Sequence, residues 1–330
     1  MARNLLIIAV LLMVAVFHET CGRPANSKAW TSWKSKYGKE YSTKEEELVR
    51  WKVWIKNKQL VNGNNQAYDE GRRSFKMTMN EFADQDFGRI NNNFDVEGRR
   101  SNTGLKETKS MTSSFRSSMP PSWDWRDKKE VNPVRDQGQI GSSLAMNVAD
   151  AVASYSSIHN KTPLDILADA EVVDCCLPNP LERPGVFGCV HNHGGLCTKG
   201  TYHTGTGANV CNNASCKAVA SCNVGKTVPS RNESALAQAV LFTPVVVAID
   251  ASHMSFQLYQ SGVYSEPSCS STLLDHSLLL VGYGVDSGVD YWICRNSWGS
   301  SWGDNGYINI ARNHDNMCGI ATDAIYPSNK

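Results

Sequence analysis

Gln137 to Met146 reads Q-G-Q-I-G-S-S-L-A-M and continues as L-A-M-N-V-A-D-A-V-A-S-Y, a run of helix formers with partly apolar periodicity. Gly138 and Gly141 permit backbone angles that a side chain would forbid, so a glycine-broken loop delivers Ser143 to the start of a helix. A hydroxyl there lies near the partial positive charge of the helix N-terminus. This is where a nucleophile would stand, and a nucleophile needs a base within hydrogen-bonding reach and a third group holding that base in one tautomer. A second group, C-V-H-N-H-G-G-L-C from Cys189 to Cys197, sets two thiols and the imidazoles of His191 and His193 at spacings compatible with a small zinc site.

The elements that must position such groups come from a chain of 330 residues, 41% hydrophobic, long enough for about two folding units. With 33 basic and 32 acidic residues there is no global field pointing to nucleic acid or to an anionic membrane. Arg3, an apolar run from Leu5 to Phe17 and the small-residue ending Thr20, Cys21, Gly22 read as a cleaved secretory signal over residues 1–22, too short to span a bilayer comfortably. Its removal leaves 10 of the 11 cysteines in an oxidising compartment, secreted or lysosome-like, where disulfides are expected. That weighs against the zinc reading, so no metal and no cofactor is expected. Asn160-Lys161-Thr162, Asn213-Ala214-Ser215 and Asn232-Glu233-Ser234 fit the N-glycosylation pattern.

In T-K-E-E-E-L-V-R-W-K-V-W-I-K-N-K-Q-L-V, Glu46, Arg50, Trp54, Asn57, Val61 and Asn65 recur at spacings of three and four and line one helical face. Residues 91–118 are polar and without hydrophobic period, as expected of a linker. A cysteine- and glycine-rich loop follows Cys175 and reaches Gly194-Gly195. From about Pro244 the runs P-V-V-V-A-I-D, S-G-V-Y, H-S-L-L-L-V-G-Y-G, D-Y-W-I-C-R-N and G-Y-I-N-I-A-R are short, β-branched or aromatic, and punctuated by glycine. A helical half followed by a β-rich half is an α+β chain.

These motifs resemble the papain-like, cathepsin L-type cysteine peptidases. The helical face resembles the E-R-F-N-I-N signature of their propeptides, and Thr78 to Asp84 resembles the G-N-F-D motif that follows it. P-P-S-W-D-W-R from Pro120 looks like the family's mature start. The resemblance therefore implies a signal over 1–22, an inhibitory propeptide and linker over 23–119, and a mature domain over 120–330 with a helical L domain, a barrel-based R domain and a cleft between them. G-Q-I-G-S-S-L is similar to C-G-[SA]-C-[WY], with Ser143 at the nucleophilic cysteine and Ile140 at the other cysteine. By the same likeness His276 in L-D-H-S-L-L-L-V-G-Y-G is the base and Asn296 in N-S-W-G-S-S-W-G its orienter, shielded by Trp298. Gln137 and the Ser143 N–H would be the oxyanion donors. Asp323, Cys197 and the Gly194-Gly195 pair would line the substrate pocket. Cys269 should pair with Cys318, and Cys175 with Cys211 or Cys216. Cys189 lacks its usual partner, and Cys176 is a candidate for it. Ser277, Leu144 and Ala170 also depart from the family pattern.

The serine decides the functional expectation. A cysteine in such a site works as a thiolate beside an imidazolium, which a hydroxyl cannot become at neutral pH. Losing one function of a catalytic group lowers turnover by orders of magnitude. The expected molecule is a homologue with little or no peptidase turnover whose partners are a peptide in its cleft and its own propeptide. Silicateins, sponge proteins that also resemble cathepsin L, carry serine beside the same histidine and asparagine. A silica-condensing protein is thus one alternative, and a hydrolase using Ser143 is another.

Overall fold

The computed structural model describes residues 27–86, 119–138, 141–177, 185–204, 210–212, 214 and 216–329; the leader, the linker, Ile140 and the Asn213 acceptor lie outside them. The first helix, α1 (Lys28–Tyr37), is capped by the Ser27 hydroxyl and stops where Gly38 turns left-handed at φ 59°. In α2 (Lys44–Asp69), Thr43 Oγ1 caps the Glu46 N–H, and the Glu46 carboxylate accepts in return from Ser42 N–H at 3.0 Å. Trp54, Asn57 and Val61 on the marked face are buried. Glu46 serves the helix end instead. Trp30 and Trp33 of α1 stack at 5.2 Å, and Trp30 meets Trp54 edge-on at 5.5 Å, so indole surface joins the two helices.

The Asn65 amide exchanges two hydrogen bonds with Met77, accepting from its N–H and donating to its carbonyl, both at 2.8 Å. That holds β1 (Phe75–Met77) against α2, and β1 then pairs antiparallel with β5 (Tyr259–Tyr264). The N-terminal region so becomes the edge of the nine-stranded sheet, whose order is β1-β5-β8-β7-β6-β4-β9-β3 with β2 (Trp123–Asp124) beside β6. The other strands are β3 (Val224–Thr227), β4 (Val245–Ile249), β6 (His276–Asp286), β7 (Val289–Arg295), β8 (Tyr307–Ala311) and β9 (Ala324–Ser328).

The central strands are apolar at consecutive positions because they face two cores. Leu278 and Leu280 of β6 enter the core shared with the N-terminal region, while Leu279 and Val281 enter the core of the helical half. Each fully buried leucine stabilises the fold by roughly 2 kcal/mol relative to exposure. The helical half contains α3 (Ser143–Tyr155), which runs into a π turn at Ser156–Asn160, then α4 (Asp169–Cys176) and α5 (Gly185–Asn192). Two more helices, α6 (Glu233–Phe242) and α7 (Met254–Gln257), flank the strands. The sequence suggested a loop where α5 lies, because Gly185 and Gly188 mask its apolar stripe of Val186, Phe187 and Val190.

Three of the four disulfides among the described residues staple this half: Cys175–Cys211, Cys176–Cys189 and Cys197–Cys216. The fourth is Cys269–Cys318. Cys189 therefore pairs with Cys176, and Cys175 takes Cys211 of its two candidates. Both thiols of the zinc reading are committed to disulfides, which removes the donors that metal would need. Among the described residues no helix is long and apolar enough to cross a membrane.

Candidate active site

Ser142 is the N-cap of α3, its hydroxyl accepting from Ala145 N–H at 3.2 Å, so Ser143 occupies the first helical position with its own N–H outside the helical ladder. The preceding loop is tight. A Cβ on Gly141 would stand 2.0 Å from the Gln137 carbonyl oxygen, and Gly138 has φ 64°. Gln137 N–H donates to Ser297 O at 2.8 Å, and Gly299 N–H to Arg135 O at 3.1 Å. The serine loop is thus stitched to the segment that carries Asn296 and Trp298.

His276 opens β6 and Asn296 follows β7, and register brings them together across the β6–β7 pair. His276 Nε2 lies 2.8 Å from Asn296 Oδ1, which also accepts from Ser297 N–H at 2.8 Å. A backbone N–H can only donate, so the amide oxygen faces this pair and the imidazole carries its proton on Nε2. Nδ1 is left with its lone pair. The ring is 4.9 Å from Trp298 and 6.1 Å from Phe256, and His276 is 7% exposed. This burial pushes its pKa down to about 4 against the opposing bond from Asn296, so the imidazole is neutral at pH 7.

Ser143 Oγ accepts from Ser277 N–H at 3.4 Å, and Ser277 O accepts from Asn147 Nδ2 at 2.9 Å. One turn of α3 thus grips the residue next to the histidine at both of its backbone groups. Ser143 Oγ is not hydrogen-bonded to the imidazole among the described residues. Gln137 Nε2 donates to Gly141 O at 3.0 Å, and its Oε1 accepts from the Ser297 hydroxyl. Both ends of the side-chain amide are engaged, and one of its two N–H groups makes no hydrogen bond among the described residues.

Deeper along α3, Asp150 is buried between two arginines, bonded to Arg295 of β7 and 3.0 Å from Arg135. Asn147 and Asp150 were missed as site-building residues in the sequence, although two polar side chains three apart in an apolar helix are a readable signal. Asp323 stands just before β9, its carbonyl accepting from Ala248 N–H at 3.0 Å, and Ala248 faces Ser277 across β4 and β6. Gly194 and Gly195, at φ 86° and 115°, end α5, where a Cβ on Gly195 would sit 2.5 Å from Ala220 O. Cys197 is buried in its disulfide against Ala168 and Tyr202. The structure therefore brings Ser143, His276, Asn296, Gln137 and Trp298 together through the Ser277, Ser297 and Arg135 links. The N-terminal region covers the group: the Phe82 ring lies 5.5 Å from Trp298, and Asn80 Nδ2 donates to Gln257 O at 2.7 Å.

A helix N-terminus bearing a serine hydroxyl, set beside a histidine–asparagine pair on a sheet and covered by an N-terminal helical region, defines a two-part, zymogen-like fold. The chain belongs to the papain family. Residues 119–328 match the papain family cysteine proteases, and residues 30–90 the cathepsin propeptide inhibitor domain. It is 38% identical to a digestive cysteine proteinase 3 of Homarus americanus over 92% of this chain and 95% of that one. It is 33% identical to the procathepsin L of Mus musculus, covering 98% of each. Its fold is similar to that of a digestive procathepsin L 3 from the Tenebrio molitor larval midgut, with TM-score 0.76, 31% identity and coverage of 91% and 98%.

Proposed function

We propose that Ser143 occupies the nucleophile position of this papain-family chain, and that the protein holds peptides in its cleft with little or no peptidase turnover. The observation that carries this reading is a hydroxyl rather than a thiol at residue 143, held 3.4 Å from the Ser277 N–H next to His276. A serine must surrender its proton during attack, in a site whose relatives employ an ion pair already formed. Asn296 is the orienter, Gln137 and Ser143 N–H are the oxyanion donors, and Asp323 favours a basic side chain two residues before the scissile bond. The leader over 1–22, the disulfides and the glycosylation tripeptides support passage through the secretory pathway to an extracellular or lysosome-like compartment.

Processed protein and its Ser143→Cys form should be compared on peptide substrates. The cysteine form is expected to be the faster by at least 100-fold, a gap of about 2.7 kcal/mol in barrier, with arginine preferred over leucine at the position facing Asp323. Wild type equal to or faster than the cysteine form would overturn the reading and leave a working serine hydrolase.

A further inference from the structure

The C-terminal turn of α3 widens into a π turn at Ser156–Asn160, which turns His159 onto Phe242 at the end of α6. Their rings stack at 4.2 Å and 28°, and His159 Nε2 lies 3.0 Å from Phe242 O. Tyr155 supports the imidazole at 4.7 Å. Phe242 is nevertheless 39% exposed, so the stack is rigid below and wet above. The next residue, Asn160, is exposed, and its amide makes one long contact, 3.4 Å from Nδ2 to Ser156 Oγ. Lys161 then turns left-handed at φ 59°, folding Thr162 back so that its hydroxyl is 3.0 Å from the same Ser156 Oγ.

Asn160-Lys161-Thr162 thus combines an acceptor tripeptide, a solvent-facing amide and an adjoining aromatic face. The geometry points to an N-linked glycan on Asn160 whose first N-acetylglucosamine lies against the His159–Phe242 stack. In the attachment, the asparagine amide nitrogen forms a bond to the sugar's anomeric carbon, a pyrophosphate-linked lipid carrier leaves, and the amide loses one proton. The C–H face of the bound pyranose would then cover apolar ring surface that water now touches. At Asn232, by contrast, the side-chain oxygen caps α6 at Ala235 N–H, 2.9 Å away, and neighbouring Glu233 is engaged by Trp292 Nε1 at 3.0 Å.

This inference rests on the secretory reading above, and the experiment separates the two. The full chain is expressed in animal cells held at the high-mannose stage, and occupancy of each acceptor is read by peptide mass spectrometry. The intact form, the form trimmed enzymatically to one sugar, Asn160→Gln and Thr162→Ala are then compared by thermal melting and by binding of a hydrophobic dye. Asn160 should be occupied, and the one-sugar form should melt with the intact protein. Both variants should melt about 2–4 °C lower and bind more dye. Placing Phe242→Ser behind each should abolish those differences. An unoccupied Asn160 on a chain glycosylated elsewhere, or variants that match the one-sugar form, would overturn the inference alone. A chain retained in the cytosol with no acceptor occupied would overturn the secretory reading and this inference with it.

Discussion

At the scale of the residue, the site's protonation is set by two neighbours with opposite shifts. Burial takes His276 down to about 4 from an ordinary 6.5. Between those values the unfolded chain holds the extra proton, so this contribution to stability is complete above pH 6.5 and is lost as pH falls toward 4. Asp275 moves the other way. Burial pushes its carboxyl up to about 6 from 3.8, although it accepts from Ala251 N–H at 2.7 Å. Its contribution is complete below pH 3.8 and is lost as pH rises to 6, so the two slopes largely offset. Asp275→Asn should expose the histidine's slope. In urea unfolding, the stability of the variant relative to wild type is expected to fall by about 3 kcal/mol as pH drops from 6.5 to 4. A gap that stays constant would show that Asp275 is ionised throughout.

At the scale of the element, α3 carries the serine and is anchored by charge. Asp150 is 1% exposed, and it answers Arg295 and Arg135 while Asn132 Nδ2 approaches it at 3.3 Å. Removing one partner of a buried pair leaves an uncompensated charge, which outweighs the hydrogen bond lost. Asp150→Asn should therefore lower unfolding stability by about 3–5 kcal/mol, read from the urea midpoint at constant slope. A loss below about 1 kcal/mol would mean that solvent reaches the arginines and that the joint of α3 to β7 is apolar in origin. The long helices and the apolar strands were legible because their periodicities run for many residues. Helix α5 was not, since its glycines lower helix propensity and only the packing of Phe187 and Val190 outweighs them.

At the scale of the whole molecule, the N-terminal region is part of the fold it covers. Phe75 and Met77 are each 1% exposed inside the larger core, and Val263 N–H donates to Ser74 O at 2.8 Å along the added strand. Gly262 is required there, at φ 89° with its missing Cβ only 2.5 Å from Ser74 O. Without residues 27–86 the molecule would expose the β5 edge and a band of core. Residues 120–330 expressed alone should yield several-fold less soluble protein than the full chain, and adding residues 27–86 in trans should restore part of it. Equal yields would remove a folding role for this region.

The sequence by itself determined the α+β class, the order of the two matched regions, the helical face built on Trp54, Asn57 and Val61, and the Cys269–Cys318 pairing that the family likeness implied. It also determined that a hydroxyl stands at residue 143. These follow from local periodicity, from motif spacing and from the chemistry of single side chains. The tertiary structure alone decided the imidazole tautomer, because the β6–β7 pairing brings His276 to the Asn296 oxygen that the neighbouring Ser297 N–H already orients. It decided that Cys176 takes Cys189 and Cys197 takes Cys216, since pairing depends on distance in space. It also decided that Gly194 and Gly195 end a helix beside Ala220, because a close backbone approach leaves no mark in the sequence beyond the glycine itself.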